Sequence, residues 1–195
     1  MSVLVSMAAF ALVTSITPGP VNLVAMSSGA RFGLRPSIAH AFGAAAGFTL
    51  LLIAIGGGLQ EMLQRWPSLL AGIRLAGITY LLYLAVRLWC DDGQVSQTTK
   101  AQPPSMLSGA LMQWLNPKAW LASFAGMSAF AADGDAWTIM VFATIYLLIC
   151  FVSVGSWAWA GGCLRQYLHD APRMRFFNRS MSTLLAASAA YLLAT

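Results

Sequence analysis

The chain alternates long, charge-poor apolar runs with short polar ones. Six apolar runs stand out: Val3 to Met26, Ala39 to Leu59, Leu69 to Trp89, Met106 to Ala131, Trp137 to Gly162 and Phe177 to Thr195. A helix needs ~20 mostly apolar residues to cross the hydrocarbon of a bilayer. Lipid cannot hydrogen-bond the backbone, so such runs are expected to be helical. The short segments of alternating polarity that build a membrane β-barrel are missing. The pattern predicts an all-α integral membrane protein with six transmembrane helices.

Composition excludes the soluble alternative. Hydrophobic residues make up 58% of 195 and charged residues only 9%, with mean hydropathy +0.70. A soluble domain carries roughly 25% charged residues. No stretch is polar and long enough to fold separately, so residues 1–195 are expected to form a single membrane domain. The longest polar loop, Cys90 to Ser105, ends in Pro103-Pro104. Residues 93–104 read as a linker between halves 1–92 and 105–195. Each half holds three spans, and an odd number starts the second copy from the other side of the membrane. An inverted repeat is therefore expected. A shift of 99 residues pairs Ser6-Met7 with Ser105-Met106, Ala11-Leu12 with Ala110-Leu111, and Pro18 with Pro117.

The charge pattern sets an orientation. Arg31, Arg35, Arg87, Lys100, Arg165, Arg173, Arg175 and Arg179 follow the first, third and fifth spans, whereas Arg65 and Arg74 stand on the other side. Cations accumulate on the cytoplasmic side, so both termini are expected in the periplasm of a multi-pass inner-membrane protein. The net charge of +5 is then a topology signal and implies no nucleic-acid partner. Trp66, Trp89 and Trp137 fall at span edges, where indoles favour the interface. The N-terminal run lacks a basic leader, since the first cation is Arg31, and reads as a retained span instead of a signal peptide.

Two spans carry helix breakers. Thr17-Pro18-Gly19-Pro20 interrupts the first and Asn116-Pro117 the fourth. Proline removes a backbone donor and drives the preceding residue away from helix. At ~1.5 Å per residue, Pro18 lies about 22 Å from the outer end of its span and Pro117 about 16 Å from the inner end of its own. Both breaks fall near the middle of a core ~30 Å thick. Half-helix N-termini there would point partial positive charge at an anionic group.

The few polar side chains at membrane depth cluster at these breaks: Thr14, Ser15, Thr17 and Asn22 in one, Gln113, Asn116 and Lys118 in the other. An ammonium at that depth costs several kcal/mol by some scales (on the order of 3), so Lys118 should face a cavity or a partner. The expected substrate-binding set is Thr17, Pro18, Gly19, Pro20, Asn22, Gln113, Asn116, Pro117 and Lys118. His40 reads as an interfacial histidine. Every acidic residue, Glu61, Asp91, Asp92, Asp133, Asp135 and Asp170, falls in a loop or at an edge. Cys90, Cys150 and Cys163 lack metal-ligand or disulfide spacing. No catalytic residue, metal site or cofactor is expected. Gly43 with Gly47, Gly56 to Gly58, and Gly72 with Gly77 read as small faces for close helix packing.

These motifs resemble the lysine exporter (LysE/RhtB) family over essentially the whole chain. Its first-span signature is similar to Ile16-Thr17-Pro18-Gly19-Pro20 with Asn22, its third-span pattern to Ile73 through Leu81, and its fourth-span signature to Asn116-Pro117-Lys118. Pro18-Gly19-Pro20 with Asn22 through Ser28 is similar to the branch that exports cysteine and O-acetylserine. Two positions depart from the pattern. Val21 separates Pro20 from the asparagine, and Ser182 and Ala187 replace glycines expected after Phe177-Asn178-Arg179. The resemblance implies an efflux carrier for amino acids or related zwitterions, with the bilayer and a small amino-acid-like substrate as partners. Proton coupling and homo-oligomeric assembly stay open. The alternatives are a channel or helical membrane subunit and, further off, an intramembrane enzyme.

Overall fold

The computed structural model describes residues 2–59, 65, 67–93, 102–168 and 170–194. Glu61, Trp66, Lys100 and most of the linker at 93–104 lie outside the described residues. Every regular element among the described residues is helical: α1 (Val3–Ile16), α2 (Pro20–Phe32), α3 (Leu34–Ala54), α4 (Pro67–Trp89), α5 (Met106–Trp114), α6 (Pro117–Phe130), α7 (Ala136–Leu164) and α8 (Ala171–Ala194). Short π and 3-10 turns extend α3 over Ile55–Leu59 and α7 over Arg165–Tyr167.

Three of these elements are long and apolar enough to cross a membrane alone, Leu34–Leu59, Ala71–Trp89 and Ala136–Tyr167. Helices α1 and α2 meet the same test together, as a pair bent by 62°. Several helices outrun their apolar runs. Helix α2 reaches Phe32, α3 starts at Leu34 and α8 at Ala171. Hydropathy marks the hydrocarbon, whereas a helix continues past it as long as Arg31, Arg35, Arg173 and Arg175 can extend their head groups to the interface.

Apolar side chains cover much of the outside. Leu75, Leu107, Leu121, Trp137, Val152, Phe176 and Tyr191 are each more than 60% exposed. Water would penalise such a surface at roughly 25 cal/mol per Å², and lipid does not. The interior instead holds small and aromatic residues around α7, which packs against α1, α2 and α3. Glycines allow the tightest crossings. A Cβ on Gly43 would overlap the Met106 backbone, and one on Gly109 would overlap the His40 carbonyl, so α3 and α5 meet backbone to backbone. Gly29 and Gly161 do the same for α2 and α7. Helix α4 packs chiefly on α8.

The segments after α2, α4 and α7 meet at one end of the bundle. Asp91 pairs there with Arg31, and its other oxygen accepts from Asn178 Nδ2 (3.2 Å) and the Gly93 amide (2.9 Å). Gly33 lies beside Arg165, and Gly93 beside Arg175. At the start of α7, Asp135 accepts from the Thr138 hydroxyl (2.6 Å) and amide (2.8 Å). Those bonds hold its carboxyl below the ordinary range. The His40 side chain is fully buried on α3, and its backbone carbonyl lies against Gly109 of α5. Trp89 and Trp137 are exposed at helix ends.

Candidate functional site

The first break forms because Thr17 precedes proline. Its backbone is extended (φ −58°, ψ 136°), so α1 stops at Ile16. Helix α2 then restarts with Pro20 at its first position, where the missing N–H costs nothing. The second break runs through Leu115 (φ −93°, ψ 0°) and Asn116 (φ −100°, ψ 106°), and α6 restarts with Pro117 in the same position. Pro20, and not Pro18, is therefore the local counterpart of Pro117. Pro18 lies in the connecting segment.

Carbonyls freed at these breaks need donors, because an unpaired one in a low-dielectric interior is costly. At the end of α1 the supply is complete. The Thr17 hydroxyl shares its one proton between the Val13 carbonyl (2.7 Å) and the more distant Thr14 carbonyl (3.2 Å). Asn22 Nδ2 donates to the carbonyls of Ser15 (2.8 Å) and Thr17 (2.9 Å). Trp157 Nε1 donates to that of Ile16 (3.0 Å). Lys118 Nζ adds donations to the Thr17 carbonyl (2.8 Å) and hydroxyl (3.0 Å). In the second break Trp120 Nε1 donates to the Trp114 carbonyl (2.7 Å), and Trp114 Nε1 reaches the Gly47 carbonyl (3.0 Å).

The two asparagines act in opposite senses. Asn22 closes a helix end by donating, and Asn116 opens a helix start by accepting from the Lys118 amide (3.1 Å). Helix α6 is thus capped, whereas α2 has no side-chain cap. Its leading amides, on Val21 and Asn22, lack intrahelical acceptors by the geometry of a first turn.

One cavity connects the breaks. Thr14, Ser15, Gly19, Val21 and Asn22 line it from the first, and Gln113, Asn116, Lys118, Ala119 and Ala122 from the second. Phe48 of α3 and Tyr146, Cys150 and Val154 of α7 complete the wall. The space is about 30 Å³, room for a water or two. Gly19 lies directly under the lysine, since a Cβ there would sit 3.4 Å from Lys118 Cδ and Nζ. The lining contains one cation and no carboxylate.

Of the nine residues expected from the sequence, Gly19, Asn22, Gln113, Asn116 and Lys118 line this cavity. Pro20 and Pro117 set the helix starts. Thr17 and Pro18 are exposed on the outer side of the break, and Thr17 reaches the site only by holding Lys118. Reading of the sequence missed Phe48, Tyr146, Cys150 and Val154. They sit in uniformly apolar helices with no local signal to single them out. The three indoles that donate at the breaks were missed for the same reason.

Comparison with known proteins gives the family model described as LysE type translocator, matching residues 12–195. The cysteine/O-acetylserine efflux protein of Klebsiella pneumoniae is 27% identical over 186 residues, covering 93% of this chain and 90% of that protein. Proteins of the same description from Salmonella typhimurium and Escherichia coli K12 are 24% identical over 185 residues, at 93% and 91% coverage. No solved structure matches the chain.

Proposed function

We propose, from the premise that this chain belongs to the LysE type translocator family, that it exports a small zwitterionic amino acid of the cysteine or O-acetylserine kind across the bacterial inner membrane. Membership makes it a membrane transporter of the amino-acid efflux class and not an enzyme.

The observation that carries the site is the convergence on one cavity of Lys118 and the uncapped start of α2. A carboxylate entering there meets a full positive charge and the positive end of a helix dipole. It competes with the Thr17 carbonyl for the lysine ammonium. Binding would therefore detach Lys118 from Thr17 and loosen the tie between the broken helices. An amino acid does not fit in about 30 Å³, so the helices must part around it, as a carrier's do.

Packing supports two inverted halves, 1–92 and 105–195. Helix α1 lies on α7 and α5 on α3, while α3 pairs with α7 and α4 with α8. Exchanging the halves maps this pattern onto itself. Helix α2 breaks it, because it packs closely on α7 and also meets α3 and α8, while α6 barely touches α3 and α7. Unequal halves are what a one-sided conformer of an inverted repeat requires. The end that gathers Arg31, Arg165 and Arg175 is taken as cytoplasmic, with both termini periplasmic.

Efflux measurement tests the reading. Cells overproducing the chain should release cysteine or O-acetylserine faster than controls. Lys118→Ala at equal membrane abundance should lose about tenfold or more, the weight of a charged hydrogen bond. Export by Lys118→Ala at the parental rate would remove the lysine from the site. Reporter fusions within Asp133–Asp135 and at either terminus should all report the periplasm, and a cytoplasmic signal would reverse the orientation.

A further inference from the structure

An amino acid carries an ammonium beside its carboxylate, and no acidic residue lines the cavity to receive it. We propose that the phenol oxygen of Tyr146 accepts the substrate's α-ammonium, making Tyr146 the residue that separates amino acids from simple carboxylates. This deepens the reading of the cavity as an amino-acid site and rests on it.

Thr14 Oγ1 lies 2.6 Å from the Phe10 carbonyl and 2.7 Å from Tyr146 Oη. A threonine hydroxyl has one proton. A carbonyl can only accept, and Phe10 is the nearer of the two, so we assign that proton to Phe10. With that assignment Tyr146 donates to Thr14, and its oxygen is left able to accept. The ring cannot turn away. It is 1% exposed, stacked on Phe48 at 4.0 Å between centroids and met edge-on by Phe142 at 5.9 Å.

Independent support comes from Ser15. Its hydroxyl lies in the same lining, 8% exposed, beside Tyr146 and Cys150 and without a hydrogen bond of ordinary length. A buried hydroxyl left unpaired is costly, and an ammonium with three protons could serve it together with Tyr146. Asn116 already uses one lone pair of its oxygen to cap α6.

The test uses the full chain in liposomes loaded with L-cysteine, following counterflow of labelled L-cysteine. Inhibition by 3-mercaptopropionate, the same molecule without its amine, is compared with inhibition by unlabelled cysteine. The wild type should need about tenfold more of the amine-free compound, the value of one hydrogen bond to a charge. Tyr146→Phe keeps the ring and should bring the two inhibitors to parity, chiefly by weakening cysteine. Thr14→Val should narrow the gap too, since it turns the phenol proton into the cavity. A Tyr146→Phe protein that transports cysteine with the wild-type preference overturns the inference alone, and so does a preference that yields only to Gln113→Leu. Absence of cysteine counterflow in the wild type overturns the export reading and this inference with it.

Discussion

Asn22 and Lys118 share the Thr17 carbonyl, and that sharing predicts a particular form of non-additivity. Asn22 is 4% exposed and donates to the Ser15 and Thr17 carbonyls at 2.8 and 2.9 Å. Lys118 donates to the Thr17 carbonyl at 2.8 Å. Asn22→Ala strands the Ser15 carbonyl at about 1–3 kcal/mol. The Thr17 carbonyl keeps its lysine and loses only a bond worth about 1 kcal/mol net. Lys118→Met strands nothing, because Asn22 still serves Thr17. Only the double variant leaves both carbonyls bare. Its destabilisation should exceed the sum of the singles by about 1–2 kcal/mol, within the range seen for groups in one network.

Thermal unfolding of purified protein in detergent, followed by the fluorescence of its 7 tryptophans, would measure this. At about 2–4 °C per kcal/mol for a chain of this size, Asn22→Ala should lower Tm by roughly 4–16 °C. The double variant should fall several degrees beyond additivity. Asn22→Asp is a sharper probe, since an ionised carboxylate only accepts and would face two carbonyl oxygens. It should be at least as destabilising as Asn22→Ala. Strict additivity, or a wild-type Tm for Asn22→Asp, would refute the account of how the first break is held.

The remaining predictions concern packing and the closed end of the bundle. Gly43→Val and Gly109→Val place side chains against the Met106 and His40 backbones and should abolish monodisperse protein on size exclusion. Gly72→Ala meets nothing within 4 Å and should raise Tm slightly, by the helix propensity of up to about 1 kcal/mol. Asp91→Ala leaves Arg31 and Asn178 without the carboxylate they share. It should cost about 3 kcal/mol of a poorly hydrated pair. The exchange Arg31→Asp with Asp91→Arg should recover part of that loss, and equal instability of exchange and single variants would contradict the pairing.

The amino-acid sequence alone determined the class, the helices and the breaks. Solvent preference is a property of composition: a chain with 9% charged residues can satisfy its backbone in lipid only as helix. Proline acts on its own turn, so the interruptions at Thr17–Pro20 and Asn116–Pro117 were legible, as was the isolation of Lys118 in an apolar run. Tertiary structure decided which groups meet. That Asn22 closes one helix while Asn116 opens another depends on which orphan backbone group each can reach. That Tyr146, Phe48 and Cys150 line the cavity while Tyr191 faces outward depends on helix rotation. Helices α3 and α7 are apolar on every face, since lipid and core reward the same residues, so no periodicity marks the inner side. Backbone-to-backbone contact at Gly43 and Gly109 set that rotation. Packing likewise decided the full burial of the His40 side chain, which residue type alone did not mark.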